Sequence, residues 1–140
     1  MRVSSRTDYG VRALYELALH FGEGPIQSRE IAARQNVPEA YLHQVLSALS
    51  RGGLVKSTRG PSGGHALARP PAEITLYDAM DVLDGIDTRS HPHRSPHDDH
   101  PVHVVWHDVL HRTIDHLQSI TLEDLVLRSK SAVPASNYAI

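Results

Sequence analysis

Residues 37–68 read Val37-Pro-Glu-Ala-Tyr-Leu-His-Gln-Val-Leu-Ser-Ala-Leu-Ser-Arg-Gly-Gly-Leu-Val-Lys-Ser-Thr-Arg-Gly-Pro-Ser-Gly-Gly-His-Ala-Leu-Ala68. Leu42, Val45, Leu46 and Leu49 recur at helical spacing, which predicts an amphipathic helix with that stripe turned inward. Pro38 suits its first turn, and Gly52-Gly53 suit its end. The opposite face carries Ala40, His43, Gln44 and Ser47, small or hydrogen-bonding groups without charge. A solvated helix face ordinarily carries Lys and Glu, so this one is suited to approach another surface. Beyond it, residues 54–57 and 65–68 flank Gly60, Gly63 and Gly64, the pattern of a hairpin with a glycine-rich tip.

Working outward, a first helix is expected over about residues 6–21. Val11, Leu14, Tyr15, Ala18 and Phe21 form its inward stripe, and Gly22 and Gly24 end it. Ser28 is placed to cap a short second helix containing Ile31 and Ala32. After the hairpin, Thr75 caps a helix over 76–83 that Gly85 closes. Residues 87–101 hold three prolines and no periodicity and read as loop. A long helix follows over 102–119, and Thr121 caps a last short one.

The expected fold is therefore mainly α with a small β-hairpin wing. A winged helix-turn-helix domain occupies 1–85 and a His/Pro-rich loop 86–101. A dimerisation helix with its closing helix occupies 102–131, and 132–140 is a frayed tail.

The chain has 140 residues and a formal net charge of −2, which by itself argues against nucleic acid. The average conceals a division. Residues 1–70 hold nine Lys/Arg and five acids, a balance of +4; residues 71–140 hold five and eleven, a balance of −6. A basic half joined to an acidic half suggests a nucleic-acid reading head attached to a part with another task. No apolar run approaches the roughly 20 residues of a membrane span. Nor does the polar start, with Arg2 and Arg6, read as a signal peptide, so a cytoplasmic protein is expected. The absence of cysteine excludes disulfides, thiol catalysis and thiolate-held metals. There is no nucleophile set beside a base, no phosphate-cradling glycine loop before a helix and no paired carboxylates, so no enzyme is expected.

Helix, turn, helix and glycine-tipped hairpin together make a winged helix-turn-helix, whose third helix lies in the major groove of double-stranded DNA. His43 and Gln44 can read base edges, with Ala40 and Ser47 beside them, and Tyr41 can reach a phosphate. The wing offers Lys56, Arg59 and Ser62, together with the backbone at Gly60 and Gly63. Arg59 is the candidate for a narrow minor groove, where negative potential concentrates.

Histidine is the other anomaly, with 11 in the chain. His103, His107 and His111 fall at i, i+4 and i+8, one stripe on the long helix that Asp115 extends. Such a stripe can hold a divalent metal, completed by a loop histidine or by Asp98 or Asp99. It can equally be a solvated helix face, and eight histidines in an acidic half could also sense protons. A histidine-rich metal-responsive or metal-buffering protein is the alternative function. Val102, Val105, Trp106, Val109, Leu110, Ile114 and Leu117 take the other side of the helix, toward a partner subunit or the core.

The run from Val37 to Pro70 resembles the recognition helix and wing of the Rrf-two family of transcriptional regulators. Asp8-Tyr-Gly-Val-Arg-Ala-Leu14 is similar to its first helix, and Ile74-Thr-Leu-Tyr-Asp-Ala79 to the helix after the wing. Trp106-His-Asp-Val-Leu110 and Ser119-Ile-Thr-Leu-Glu-Asp-Leu125 resemble the dimer helix and its ending. The resemblance implies a homodimer gripping a pseudo-palindromic operator, as a repressor. On it, Tyr41, His43, Gln44 and Arg59 fall on base- or phosphate-contacting positions and Ser28 on the start of the helix-turn-helix.

There are departures from the family pattern. Position 43 commonly holds Glu, so an acceptor for cytosine becomes an imidazole able to donate to guanine. The aromatic residue usual after the wing glycines is His65. Cluster-binding members carry three cysteines in the region of 87–101, and this chain has none. No iron–sulfur cluster is expected, even though Asp8 matches a carboxylate ligand of one member. Asp8 is expected to support the start of the first helix instead. The effector stays open between a metal, a small ligand and a partner protein.

Overall fold

Among the described residues, six helices and one antiparallel hairpin are built around the stripe that the opening stretch presents. The computed structural model describes residues 2–86 and 100–131. The elements run α1 (Ser5–Leu19), α2 (Ser28–Gln35), α3 (Glu39–Arg51), β1 (Val55–Thr58), β2 (Gly64–Leu67), a 3-10 turn (Pro71–Glu73), α4 (Leu76–Leu83), α5 (Pro101–Ser119) and α6 (Leu122–Lys130). Of the loop expected over 86–101, residues 87–99 lie outside the described residues, as does the tail over 132–140, while His100 caps α5 and Pro101 is its first residue, the position a fixed φ suits.

α3 is the centre. Leu42, Val45, Leu46 and Leu49 are all buried, joined by Leu14 and Leu17 of α1, Ile31 of α2 and Leu54 at the root of the wing. Each such fully buried aliphatic side chain contributes about 1.5–3 kcal/mol of transfer free energy before chain entropy is counted. α6 closes the core through Leu122, which is fully buried.

Local signals act where the sequence places them, with shifts of a residue. Ser4 caps α1, its Oγ accepting from the Thr7 N–H at 3.0 Å. Ser28 is the first residue of α2, not its cap; Gln27 holds that position without a side-chain bond. The reason lies outside the helix. Ile26 is bridged to His65 of β2 by two backbone hydrogen bonds of 2.7 and 2.8 Å, which sets where the chain turns into α2. Pro38 likewise stands just before α3. Phe21, expected on the inward stripe, lies beyond the end of α1 and is 48% exposed. Gly10, Ala13 and Leu17 carry the buried face in its place.

Two capping boxes organise the second half. Thr75 with Asp78 starts α4, and Thr121 with Asp124 starts α6. The two threonines face each other across an antiparallel bridge, with Leu76 N–H donating to Ile120 O and Leu122 N–H to Ile74 O, both at 2.9 Å. The end of α5 is thereby stitched to the start of α4.

The end of α4 is in turn pinned to the start of α1. Asp84 accepts from Ser4 Oγ and from Thr7 Oγ1 at 2.6 Å, and Arg6 Nε donates to Leu83 O at 2.7 Å. These hydroxyls, with help from Arg6, hold the Asp84 carboxyl below the ordinary carboxylate range, outweighing the opposing effect of burial. A carboxyl with a lowered folded pKa stabilises the native state above its unfolded pKa. That contribution is lost as pH falls through the folded value. Asp84→Asn is therefore expected to melt below the wild type at neutral pH, with the gap closing on acidification through the carboxylate range. Thermal melts of both proteins across that range check the sign; a gap independent of pH would refute the assignment.

Candidate nucleic-acid interface

The expected reading face is exposed as a unit. Ala40, His43, Gln44 and Ser47 line the outer side of α3, and the stripe beneath them is the core. Tyr41 is half-buried, its ring packed edge-on against Tyr9 of α1 with centroids 5.3 Å apart. His43 faces Glu39 one turn earlier, Nε2 to Oε1 3.8 Å. Glu39 was absent from the expected site, yet it stands exposed on the first turn of the same helix.

The wing is shaped by backbone. Strands β1 and β2 pair Val55 with Leu67 and Thr58 with Gly64, one residue displaced from the sequence expectation. Lys56, Arg59, Gly60 and Ser62 are exposed. Gly63 is not. It is buried, and its N–H donates to Gly60 O at 2.9 Å, so that amide closes the turn and is not offered outward. His65 is half-buried, with Nδ1 2.8 Å from Ser57 Oγ. Burial, and then the nearby His43, push the His65 imidazole below its usual pKa. A polar notch of about 320 Å³ opens between α2 and the wing, lined by Ser28, Arg29, Glu39, Gly60 and His65.

Several cations are paired within the chain and others are left to solvent. Arg12 pairs with Asp8, Arg34 with Glu16 and Glu30, Arg69 with Asp78 and Arg112 with Asp108. The side chains of Lys56 and Arg59 on the wing make no ion pair or hydrogen bond among the described residues, as is also true of Arg29 beside the wing and of Arg2, Arg51, Arg128 and Lys130. Cations left without a carboxylate on an exposed hairpin attract an external anion, and a polyanion most.

Sequence reasoning missed the feature that fixes α2 against α1. Glu16 is buried, accepts from Gln35 Nε2 at 2.9 Å and Arg34 Nη1 at 3.3 Å, and lies 3.0 Å from His20 Nε2. A buried carboxylate so surrounded is satisfied. The only signal was a Glu at a position where the inward stripe passes. Asp8 does support the start of α1, sitting in its first turn and pairing with Arg12 at 3.1 Å.

On α5 the expected apolar set divides. Ile114 and Leu117 are buried within the chain, while Val102, Val105, Trp106 and Val109 are 47–58% exposed and Leu110 is intermediate. An apolar cleft of about 450 Å³ runs between α4 and α5, where Met80 and Ile86 meet Trp106, Leu110 and Ile114. The three-histidine metal set does not assemble. Among the described residues no three His, Asp or Glu side chains come together as ligands. His107 and His111 adjoin, with Nε2 atoms 3.0 Å apart, but the His103 ring lies near that of His100, centroids 5.6 Å apart. Eight residues of helix rise about 12 Å, too far for one ion to span from His103 to His111. Asp115 joins no such group either. His91, His93, His97, Asp98 and Asp99 lie outside the described residues.

No helix among the described residues is long and apolar enough to cross a membrane. The sequence model of the Rrf2 (Rrf-two) family, described as an iron-dependent transcriptional regulator, matches residues 3–128. The chain is 38% identical over 130 residues to the HTH-type transcriptional regulator IscR of Pectobacterium atrosepticum, covering 90% of this chain and 79% of that protein. Among solved structures, IscR of T. potens superposes with a TM-score of 0.80 at 38% identity, covering 95% of this chain and 92% of that one. CymR, the global cysteine regulator of B. subtilis, gives 0.77 at 37% identity over 90% and 96%. An iron–sulfur cluster does not fit the donors present, since clusters are held by thiolates and this sequence has no cysteine. The exposed, hydrogen-bonding face of α3, the cations of the wing and these relatives agree: the chain belongs to the Rrf2 family of winged helix-turn-helix DNA-binding transcriptional regulators.

Proposed function

We propose that this chain works in the cytoplasm as a homodimer that represses transcription by occupying a pseudo-palindromic operator, without an iron–sulfur cluster. The observation that carries the DNA-reading part is placement: exposed Lys56 and Arg59 on the wing, with Arg29 at the notch below it, stand without side-chain partners next to an α3 face of hydrogen-bonding side chains. In this reading His43 and Gln44 contact base edges, Ala40 and Ser47 allow close approach, and Tyr41 meets a phosphate through its hydroxyl. Arg59 enters the minor groove, and Lys56, Ser62 and the Gly60 backbone follow the sugar–phosphate chain. Ser28, at the first turn of α2, faces the phosphates on the other side of the notch. Gly63 contributes through the turn it closes.

The homodimer is supported by the exposed apolar stripe on α5, of a kind that marks an interaction surface. Two wings and two recognition helices then meet two half-sites, and a dimer seated on a promoter excludes polymerase. The cluster-free reading rests on donor chemistry, because nitrogen and carboxylate donors alone do not make an ordinary cluster site.

The test begins with a duplex recovered by selection from a random-sequence pool, followed by fluorescence anisotropy across a salt series. Affinity is expected to fall steeply as salt rises. Arg59→Ala is expected to weaken binding roughly 10- to 100-fold, as for a contact of about 1–3 kcal/mol. Recovery of no preferred sequence, or unchanged affinity in Arg59→Ala, would overturn the assignment of the wing.

A further inference from the structure

His107 and His111 stand apart from both the reading face and the apolar stripe. They lie one turn apart on α5, both exposed, with rings tilted at 49° and centroids 4.2 Å apart. Their Nε2 atoms are 3.0 Å apart, so one ring N–H donates to the bare nitrogen of the other. With each ring proton on Nδ1, both Nε2 lone pairs become available to one ion. The 3.0 Å spacing is that of the N–H···N bond, and a small rotation of either exposed ring sets the spacing an ion requires; two imidazoles with the remaining positions open suit Cu²⁺ and Ni²⁺.

We propose that His107 and His111 form a two-imidazole chelate for Cu²⁺ or Ni²⁺ on the flank of α5, with water completing the shell. Neighbouring groups leave those positions open. Asp108 is held by Arg112 at 2.9 Å, and no third His, Asp or Glu among the described residues joins the pair. At 100° per residue the two histidines lie about 100° and 140° around the helix from Trp106. The ion therefore sits off the Val102–Trp106–Val109 stripe and joins successive turns of the helix without covering that stripe. The site requires neither DNA nor a partner subunit.

Trp106 is the sole tryptophan and the sequence neighbour of one ligand, so its fluorescence reports binding by quenching. Titration of the full chain with CuCl₂ or NiCl₂, read by this fluorescence and for copper also by electron paramagnetic resonance, tests the proposal. The wild type should show a saturable site whose copper signal carries two nitrogen ligands, with Ni²⁺ held more tightly than Zn²⁺. His107→Ala and His111→Ala should each weaken that site roughly tenfold or more. His103→Ala should leave it unchanged. Circular dichroism verifies that the variants remain helical, as expected for exposed positions. If either single variant binds as the wild type does, the ion is held elsewhere among the 11 histidines and the proposal fails. Tighter binding of Zn²⁺ than of Ni²⁺ would overturn the choice of ion.

Discussion

Val102→Asp combined with Val105→Asp is expected to give a folded monomer that has lost most of its affinity for a two-half-site operator. Both side chains are more than half exposed, and neither belongs to the buried core, so the substitutions leave the packing of a single chain intact. α5 remains anchored by Ile114 and Leu117 and by the bridge at Thr75 and Thr121. What changes is the surface that a second copy would cover. Val102, Val105, Trp106 and Val109 fall within about 100° of one another around the helix, so two carboxylates there would be buried unpaired at the interface. Val104 is equally exposed but points about 160° away from Trp106 and should tolerate the same change.

Losing the second reading head converts linked binding into single-site binding, a loss of roughly 100- to 10,000-fold. Sedimentation equilibrium reads the mass, and anisotropy on the selected duplex reads the affinity. A variant that stays dimeric would move the interface off this stripe. A monomer that binds as tightly as wild type would remove dimerisation from the mechanism.

The second large effect is expected in the wing, from a single methyl group. A Cβ at Gly63 would lie 2.2 Å from Thr58 O and 2.7 Å from the Arg59 carbonyl carbon. At Gly64 it would lie 2.6 Å from Ile26 O, on a backbone with φ of +148°. These neighbours are main chain and cannot rotate aside. Gly63→Ala therefore displaces Arg59 itself, and Gly64→Ala breaks the seam between the wing and the turn before α2. Each should weaken operator binding at least as much as Arg59→Ala, roughly 10- to 100-fold. The helical content should stay near wild type because the α3 core is remote from the tip.

Gly22, outside the proposed DNA contacts, provides the internal control. Its φ is +88°, but nothing lies within 4 Å of a Cβ there, so Gly22→Ala carries only the conformational cost of about 1–2 kcal/mol. Anisotropy and thermal melts on the three variants give the ranking. Gly63→Ala binding like wild type would mean that the tip does not position Arg59.

Much of this architecture is written in short-range signals. The stripe Leu42, Val45, Leu46 and Leu49 predicts both the helix and its buried side, because a 3.6-residue period has one way to face a core. Thr75 and Thr121 mark helix starts because their hydroxyls satisfy amides that any helix leaves unpaired. Boundaries moved wherever a distant partner intervened. Ser28 has the chemistry of a cap, but the bridge of Ile26 to His65 moves the turn by one residue. Glu16 looks like a surface residue until Arg34, Gln35 and His20 close around it.

The site divides in the same way. Residue types and spacing alone were enough to choose a winged helix-turn-helix, the inward stripe of α3 with hydrogen-bonding groups opposite it, and the hairpin wing with its cations. Each of these depends on chemistry or on periodicity within a few turns of chain. Tertiary structure decided which of those groups are available. It left Lys56 and Arg59 unpaired while neutralising Arg12, Arg34 and Arg69, and it turned the Gly63 amide inward. It also buried Ile114 and Leu117 while exposing the rest of the α5 stripe, and brought only two of three histidines together. Pairing and burial depend on what lies opposite in space, and a linear pattern carries no information about the opposite side.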